Sequence, residues 1–328
     1  MATQTDFCIQ RERMHFFPRR FAVRALVVAM AVCFASIGMA QGAAKPSSGS
    51  VKAGPPSAKP GTTSPSAAVP PQLPGVGSQN ALKSQHDVSN IYAGSQIVAP
   101  SAGYHFPNGQ VLTYAAEWHL FTAGIAVLRM EPEGPLQKVT ATAESTGVVN
   151  LLFGVHDRFQ ATFDPKTFCS LSVFKHSEEG LHRRETQIHF EYSRHKSVLE
   201  EKNLRTGEQK RVEGDIGNCN TDVVTGIFYL GTLPLLEGYT YSFPVADGGK
   251  SNVAVAHVEG KDRVKTPAGT YNTVRVATEA SDEPLKSKGR LWIWYTDDAA
   301  HTPVQMRARL FWGTLQLQLQ SIENPAKK

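Results

Sequence analysis

Few side chains in this 328-residue sequence stand at a spacing that chemistry would need. His156 and Asp157 are adjacent, and an imidazole beside a carboxylate could do general-base work, although no nucleophile accompanies them. Asp157 can equally cap the turn before the next strand. His156, His176, His182, His189 and His195, with Glu178, Glu179 and Glu191, invite a metal reading. None has the short fixed spacing that places two ligands on one element, so solvated strand-face histidines are expected and no metal. Gly248-Gly249-Lys250-Ser251 ends like a phosphate loop, but Pro244 stands where the pattern needs its first glycine. A hairpin turn at Asp247-Gly248-Gly249 is simpler. Ser193 and Lys196 match Ser-x-x-Lys by letters alone, without the helix N-terminus such a nucleophile uses. No cofactor site emerges. Trp292 and Trp294 fall two apart, either a stacking platform for sugars or the filling of a core.

The elements that must carry these residues are strands. Leu112, Tyr114, Ala116 and Trp118 alternate onto one face, and Gly124–Met130 follows as a hairpin partner would. Further period-2 runs lie at 138–145, 158–163, 170–176, 184–192, 239–245, 251–259, 271–279, 289–295, 304–311 and 314–321. The clearest is Leu315-Gln316-Leu317-Gln318-Leu319-Gln320, apolar on one face and amide on the other. About a dozen strands with short Gly, Pro, Asn and Asp breaks predict one all-β unit, antiparallel because one face is wetter. Two segments break the rhythm. Val148–Phe153 is a short helix or a buried corner. Thr221–Leu233 is the better helix, with Asn220 or Thr221 as N-cap, Asp222 in its first turn and Pro234 ending it. A sheet of so many strands must curl. A strongly curved sheet or open barrel, with this helix in or near its mouth, satisfies both facts.

Charge and composition divide the chain. Residues 1–40 hold five Arg against two acids, and 41–100 four Lys against one Asp, whereas the remainder holds 25 basic and 26 acidic side chains. The basic excess therefore lies outside the folded part, which speaks against nucleic acid as a partner. Arg19-Arg20-Phe21-Ala22-Val23-Arg24, the uncharged run Ala25–Gly38 and the small-residue site Gly38-Met39-Ala40 form a signal-peptide pattern over 1–40. The run is short for a membrane span, which needs about 20 residues, so export with cleavage is expected over an uncleaved anchor. Translation can start at Met1 or Met14. Residues 41–100 are rich in Pro, Ser and Ala, with Tyr92 the only aromatic, and predict a disordered tether. The single β-domain then spans 101–325. After cleavage two cysteines remain, Cys169 and Cys219. In an exported protein a lone pair predicts a disulfide, contributing roughly 3–4 kcal/mol by restricting the unfolded chain.

These residues together resemble the domain-of-unknown-function family 3108 of bacterial exported proteins. The matching elements are Gly109-Gln110-Val111-Leu112-Thr113-Tyr114 with Trp118, then Ala123-Gly124-Ile125-Ala126. Asp222-Val223-Val224 with Tyr229 and Gly238 resembles the family's central helix, and Lys265–Tyr271 its Thr-Pro-x-Gly hairpin. Leu291–Asp298 with Pro303-Val304 resembles its late strand and turn. The likeness runs from about Tyr104 to Asn324. It departs after Tyr229, where the family often has Arg and this chain has Leu230. The resemblance implies a periplasmic, largely antiparallel β-protein with no settled activity. By fold analogy it is similar to lipoprotein-localisation carriers, which hold acyl chains in a concavity. The expectation is thus a non-enzymatic cell-envelope protein near membrane or peptidoglycan, binding a hydrophobic or amphipathic ligand such as lipid. Tyr114, Trp118, Tyr229, Trp292 and Trp294 are the candidate contacts. A glycan- or peptidoglycan-binding module on Trp292 and Trp294, or a hydrolase on His156 and Asp157, are the alternatives.

Overall fold

Wherever an apolar residue recurs at every second position, the chain extends and buries that face. The computed structural model describes residues 95–100, 103–118, 121–247, 249, 251–281, 289–310 and 313–324. The predicted signal peptide and nearly all of the tether lie outside them. The strands are β1 (Val111–Trp118), β2 (Phe121–Glu133), β3 (Leu136–Ser145), β4 (Val155–Phe163), β5 (Ser170–Glu179), β6 (His182–Glu191), β7 (Lys196–Asn203) and β8 (Gln209–Asp215). After the long connection come β9 (Thr240–Ala246), β10 (Ser251–Thr266), β11 (Gly269–Ala280), β12 (Gly289–Thr296), β13 (Pro303–Leu310) and β14 (Gly313–Glu323). All fourteen form one antiparallel sheet in the order β8-β7-β6-β5-β4-β3-β2-β1-β14-β13-β12-β11-β10-β9. The sheet is therefore two meanders joined where β1 pairs with β14, with Val111 opposite Glu323 and Trp118 opposite Leu315. β7 and β8 are strands that alternation did not predict. Their sequences, KSVLEEKN and QKRVEGD, carry charge on both faces.

The inner face is continuous. Leu112, Tyr114 and Ala116 of β1 share it with Leu128 and Met130 of β2 and Leu315, Leu317 and Leu319 of β14, all buried. Gly124 is required here: a side chain on it would overlap the Glu144 carbonyl of β3. Inside the curve lies α2 (Val223–Gly231), whose residues from Val224 to Gly231 are all buried, as a helix apolar on every side must be. It is shorter than Thr221–Leu233, and its N-cap is Asp222 rather than Asn220 or Thr221. Thr221 cannot start the helix because its backbone is already used: its N–H donates to Pro244 O at 3.1 Å and its carbonyl accepts from Ala246 N at 2.9 Å. The Asp222 carboxylate accepts from Val224 N and Thr225 N at 3.0 and 2.9 Å, and from the Ser170 hydroxyl at 2.7 Å. Three further bonds grip the helix. Tyr295 OH donates to Ile227 O at 2.7 Å, His301 Nδ1 to Gly231 O at 2.9 Å, and Val98 N to Tyr229 OH at 3.0 Å.

The other irregular segment is α1 (Gly147–Leu152), a helix with no buried residue, so the buried-corner alternative fails. The outermost strands, β8 and β9, are drawn together by the segment 216–222 between β8 and α2. Asn220 O accepts from Ser170 N of β5 at 2.8 Å, and Thr221 bridges to Val245 of β9. A side chain on Gly214 of β8 would stand 2.8 Å from Gly249 O in the β9–β10 turn. The curl thus comes within backbone contact of closing. Cys169 and Cys219 are disulfide-bonded with Cα atoms 5.1 Å apart, tying the β4–β5 connection to this same segment.

Candidate functional site

Side chains on the inner face of β4–β8 change character along the strands. Nearest α2 the paired positions are aliphatic: Ala161 of β4, Val173 of β5, Ile188 of β6 and Leu199 of β7 stand opposite one another in turn. Two residues further along, Phe159, Lys175, Thr186 and Glu201 form the next row, with the Lys175 ammonium 5.8 Å from the Phe159 ring centre. The row after that is Asp157, Ser177, Arg184 and Asn203, and beyond it Glu179 opposes Val155 and His182. A wall that begins as core thus ends as a strip of ionisable groups inside the mouth.

Charges in this strip perturb one another. The Asp157 and Glu179 carboxyls are hydrogen-bonded together, and Asp157 Oδ1 also accepts from Glu178 N at 3.1 Å. Burial pushes both above the usual carboxylate range, Asp157 to about 6 and Glu179 to about 8. Glu179 rises further because the Asp157 charge stands beside it, while the Arg184 guanidinium works against the rise. The pair therefore shares one proton near neutrality. Burial lowers the Lys175 pKa, and the negative charges of Asp247, Asp222 and Glu201 oppose that shift. Arg184 Nη1 lies 3.9 Å from Glu201 Oε2. The strip sets Lys175 and Arg184 beside Glu201 and the Asp157–Glu179 pair, with the hydroxyls of Ser177 and Thr186. That is a mixed polar surface suited to a zwitterionic or hydrogen-bonding group.

The His156–Asp157 dyad is not formed. Successive strand residues point to opposite faces, so Asp157 faces in with buried Val155 and Phe159 while His156 is exposed outside. His176 is also on the outer face, between Glu178 and Glu185 at 3.1 and 3.2 Å. Burial works against its charge, but the hydrogen bonds to these two carboxylates outweigh it and raise its pKa. Among the described residues no three His, Cys, Asp or Glu side chains converge to hold a metal ion.

Of the five aromatic candidates, three lie inside the curve and two outside. Tyr114 is fully buried and donates to Pro303 O at 2.6 Å. Tyr229 stacks edge-on against Phe243 and near Phe168, within the core beside α2's own backbone. Trp118 ends β1 opposite Leu315, half-buried at the mouth. Trp292 and Trp294 share the face opposite Ile293 and Tyr295, outside the barrel. Each indole is covered by a guanidinium, Arg290 at 5.6 Å and Arg307 at 5.2 Å, and Trp294 Nε1 donates to Asp262 at 2.8 Å. Alternation could have found the ionisable strip, since 155, 157 and 159 share a face. Its charged members hid that face as solvent-exposed.

An open antiparallel β-barrel around a buried helix, with an ionisable mouth, defines the class. The chain belongs to the family described as protein of unknown function (DUF3108), whose model matches residues 113–320. No curated protein matches it. Among solved structures it is similar to a β-barrel-like protein of domain of unknown function DUF1849 from Brucella abortus, at 8% identity and a TM-score of 0.46, over 70% of this chain and 100% of that one. It is also similar to a protein described as exported, with a YmcC-like fold, from Bacteroides fragilis, at 11% identity and a TM-score of 0.28, covering 69% and 100%. A protein described as a lipoprotein from Parabacteroides distasonis matches at 9% identity and a TM-score of 0.30, covering 70% and 99%. No helix among the described residues is long and apolar enough to cross a membrane.

Proposed function

We propose that this protein is an exported, non-enzymatic envelope β-barrel that binds an amphipathic ligand, such as a lipid, at its mouth. The observation that carries this reading is the graded inner wall. It passes within a few residues from Val173, Ile188 and Leu199 to Lys175, Arg184 and the Asp157–Glu179 pair. Since Ala161, Val173 and Ile188 are already covered, an apolar chain would lie at the half-buried Leu199 edge of the aliphatic row and a polar head against the ionisable strip. Deep binding beside α2 is disfavoured, because the helix, Tyr114 and Phe168 already fill that end. The guanidinium covers on Trp292 and Trp294 favour this reading over a glycan platform. The signal-peptide pattern supports a periplasmic location, with an uncleaved leader as the alternative. Native mass spectrometry of protein purified from the envelope tests it. The expected result is a bound amphiphile, retained by wild type and lost when Lys175→Ala and Arg184→Ala are combined. An apo mass in wild type, or glycan-array binding abolished by Trp294→Ala with folding intact, overturns it.

A further inference from the structure

Large apolar side chains are exposed at one end of the barrel. Phe121, Val148, Leu151, Leu152 and Leu181 are each between 66 and 85% exposed. They lie in or beside three alternate connections, β1–β2, β3–β4 and β5–β6, which an antiparallel meander must place at the same end of the sheet. Val148, Leu151 and Leu152 stand at i, i+3 and i+4 of α1 and so share one helical face. The connections are laced together by backbone. Thr146 N, leading into α1, donates to Ala123 O of β2 at 3.0 Å, and Gly180 N donates to Gly154 O, just after α1, at 2.8 Å. This apolar tip is thus held in shape by hydrogen bonds on both sides.

Charge identifies what such a tip would meet. From Ser145 to Val155 the chain carries no charged residue at all. Immediately beside it, residues 180–183 and 202–210 carry His182, Arg183, Lys202, Arg205 and Lys210 against Glu208, and the preceding Glu178 lies 3.6 Å from Arg183 Nε. All five basic residues are exposed, and Arg205 Nη1 donates to Leu181 O at 2.9 Å, which fixes a cation against the apolar tip. Apolar residues exposed on a rim and flanked by cations match the chemistry of a bilayer surface with anionic headgroups. We propose that this rim docks the protein on an anionic lipid surface, with α1 entering the headgroup layer. The rim borders the ligand wall at the same end of the barrel, but the residues varied to test it, Leu151, Leu152, Arg183 and Arg205, are not Lys175 or Arg184 of the wall, so either reading can fail without the other.

Flotation with lipid vesicles tests the proposal on the full mature chain. Vesicles of phosphatidylethanolamine and phosphatidylglycerol are expected to carry the protein up the gradient, and vesicles of phosphatidylcholine alone much less. Leu151→Asp with Leu152→Asp should reduce binding at least about tenfold, because exposed side chains can change without unfolding the barrel. Arg183→Gln with Arg205→Gln should leave the fold intact and abolish the preference for the anionic vesicles. No flotation of folded wild type overturns the proposal. So does equal flotation of wild type and the double Asp variant. A wild-type dimer that Leu151→Asp converts to monomer, with no vesicle binding, would assign the rim to a second copy and also overturn it.

Discussion

Asp222 uses both carboxylate oxygens, one on the first free amides of α2 and one on the Ser170 hydroxyl, while its own N–H donates back to Ser170 Oγ at 2.9 Å. Removing it loses a helix cap and leaves the buried Ser170 O–H without its acceptor, although the backbone N–H of residue 222 still donates to that oxygen. Asp222→Ala is therefore expected to cost about 2–4 kcal/mol in denaturant unfolding, and Asp222→Asn distinctly less, since an amide oxygen still caps. The Asp157–Glu179 pair makes the opposite kind of contribution. Its folded pKa values lie above those of the unfolded chain, so the native state binds more protons through the window from about pH 4 to 8. Its stability contribution is fully present below that window and is lost as pH rises through it. Glu179→Gln removes the titrating group from the pair. The variant should be more stable than wild type at pH 8 by about 1–2 kcal/mol, and the difference should vanish or reverse near pH 5. Unfolding curves at the two pH values check this, and an unchanged pH slope would refute the shared-proton account.

At the scale of elements, legibility in the sequence followed the sharpness of each pattern. β14 was plain because leucine and glutamine alternate without exception, and the paired registers place every one of those leucines inside. β7 and β8 were illegible because the barrel wall they build is polar on both sides, which erases the period-2 contrast. The helix was legible by its apolar composition, but its start was not. Nothing local says that the Thr221 backbone pairs with Val245, a contact made across the fold. The ionisable strip was hidden for the same reason as β7, since charged residues on an inward face look solvated until the register is known. The disulfide was legible from counting, because two cysteines lie beyond the signal-peptide pattern. It joins residues 50 apart in sequence, and its reduction should lower stability by roughly 3–4 kcal/mol, read as a shift in denaturant midpoint. Since the bridge anchors the segment that enters α2, amide exchange should rise first in 216–222 rather than in the β1–β14 seam.

Across the whole molecule the curl is held at its outer strands by backbone proximity more than by strand pairing. Gly214→Val would put a branched side chain against Gly249 O and the Ser197 hydroxyl, both around 3 Å from the first added carbon. About 1–3 kcal/mol of destabilisation is expected, with hydrogen exchange concentrated in β8 and β9. Uniform loosening of all fourteen strands would instead mean that closure is not localised there. The strand order carries a further consequence, and it concerns time. Every neighbouring pair but one is adjacent in sequence and can form as soon as its second strand emerges. The exception is β1 with β14, the first strand and the last. A chain emerging N-terminus first would assemble β1 through β8 early and then carry β1 as an uncovered margin for the rest of its synthesis. Only the final eleven residues of sheet, Gly313–Glu323, cover it. A chain stopped before Gly313 therefore does not lose a peripheral strand: it is left with two adhesive margins, β1 and β13, at what should have been its centre.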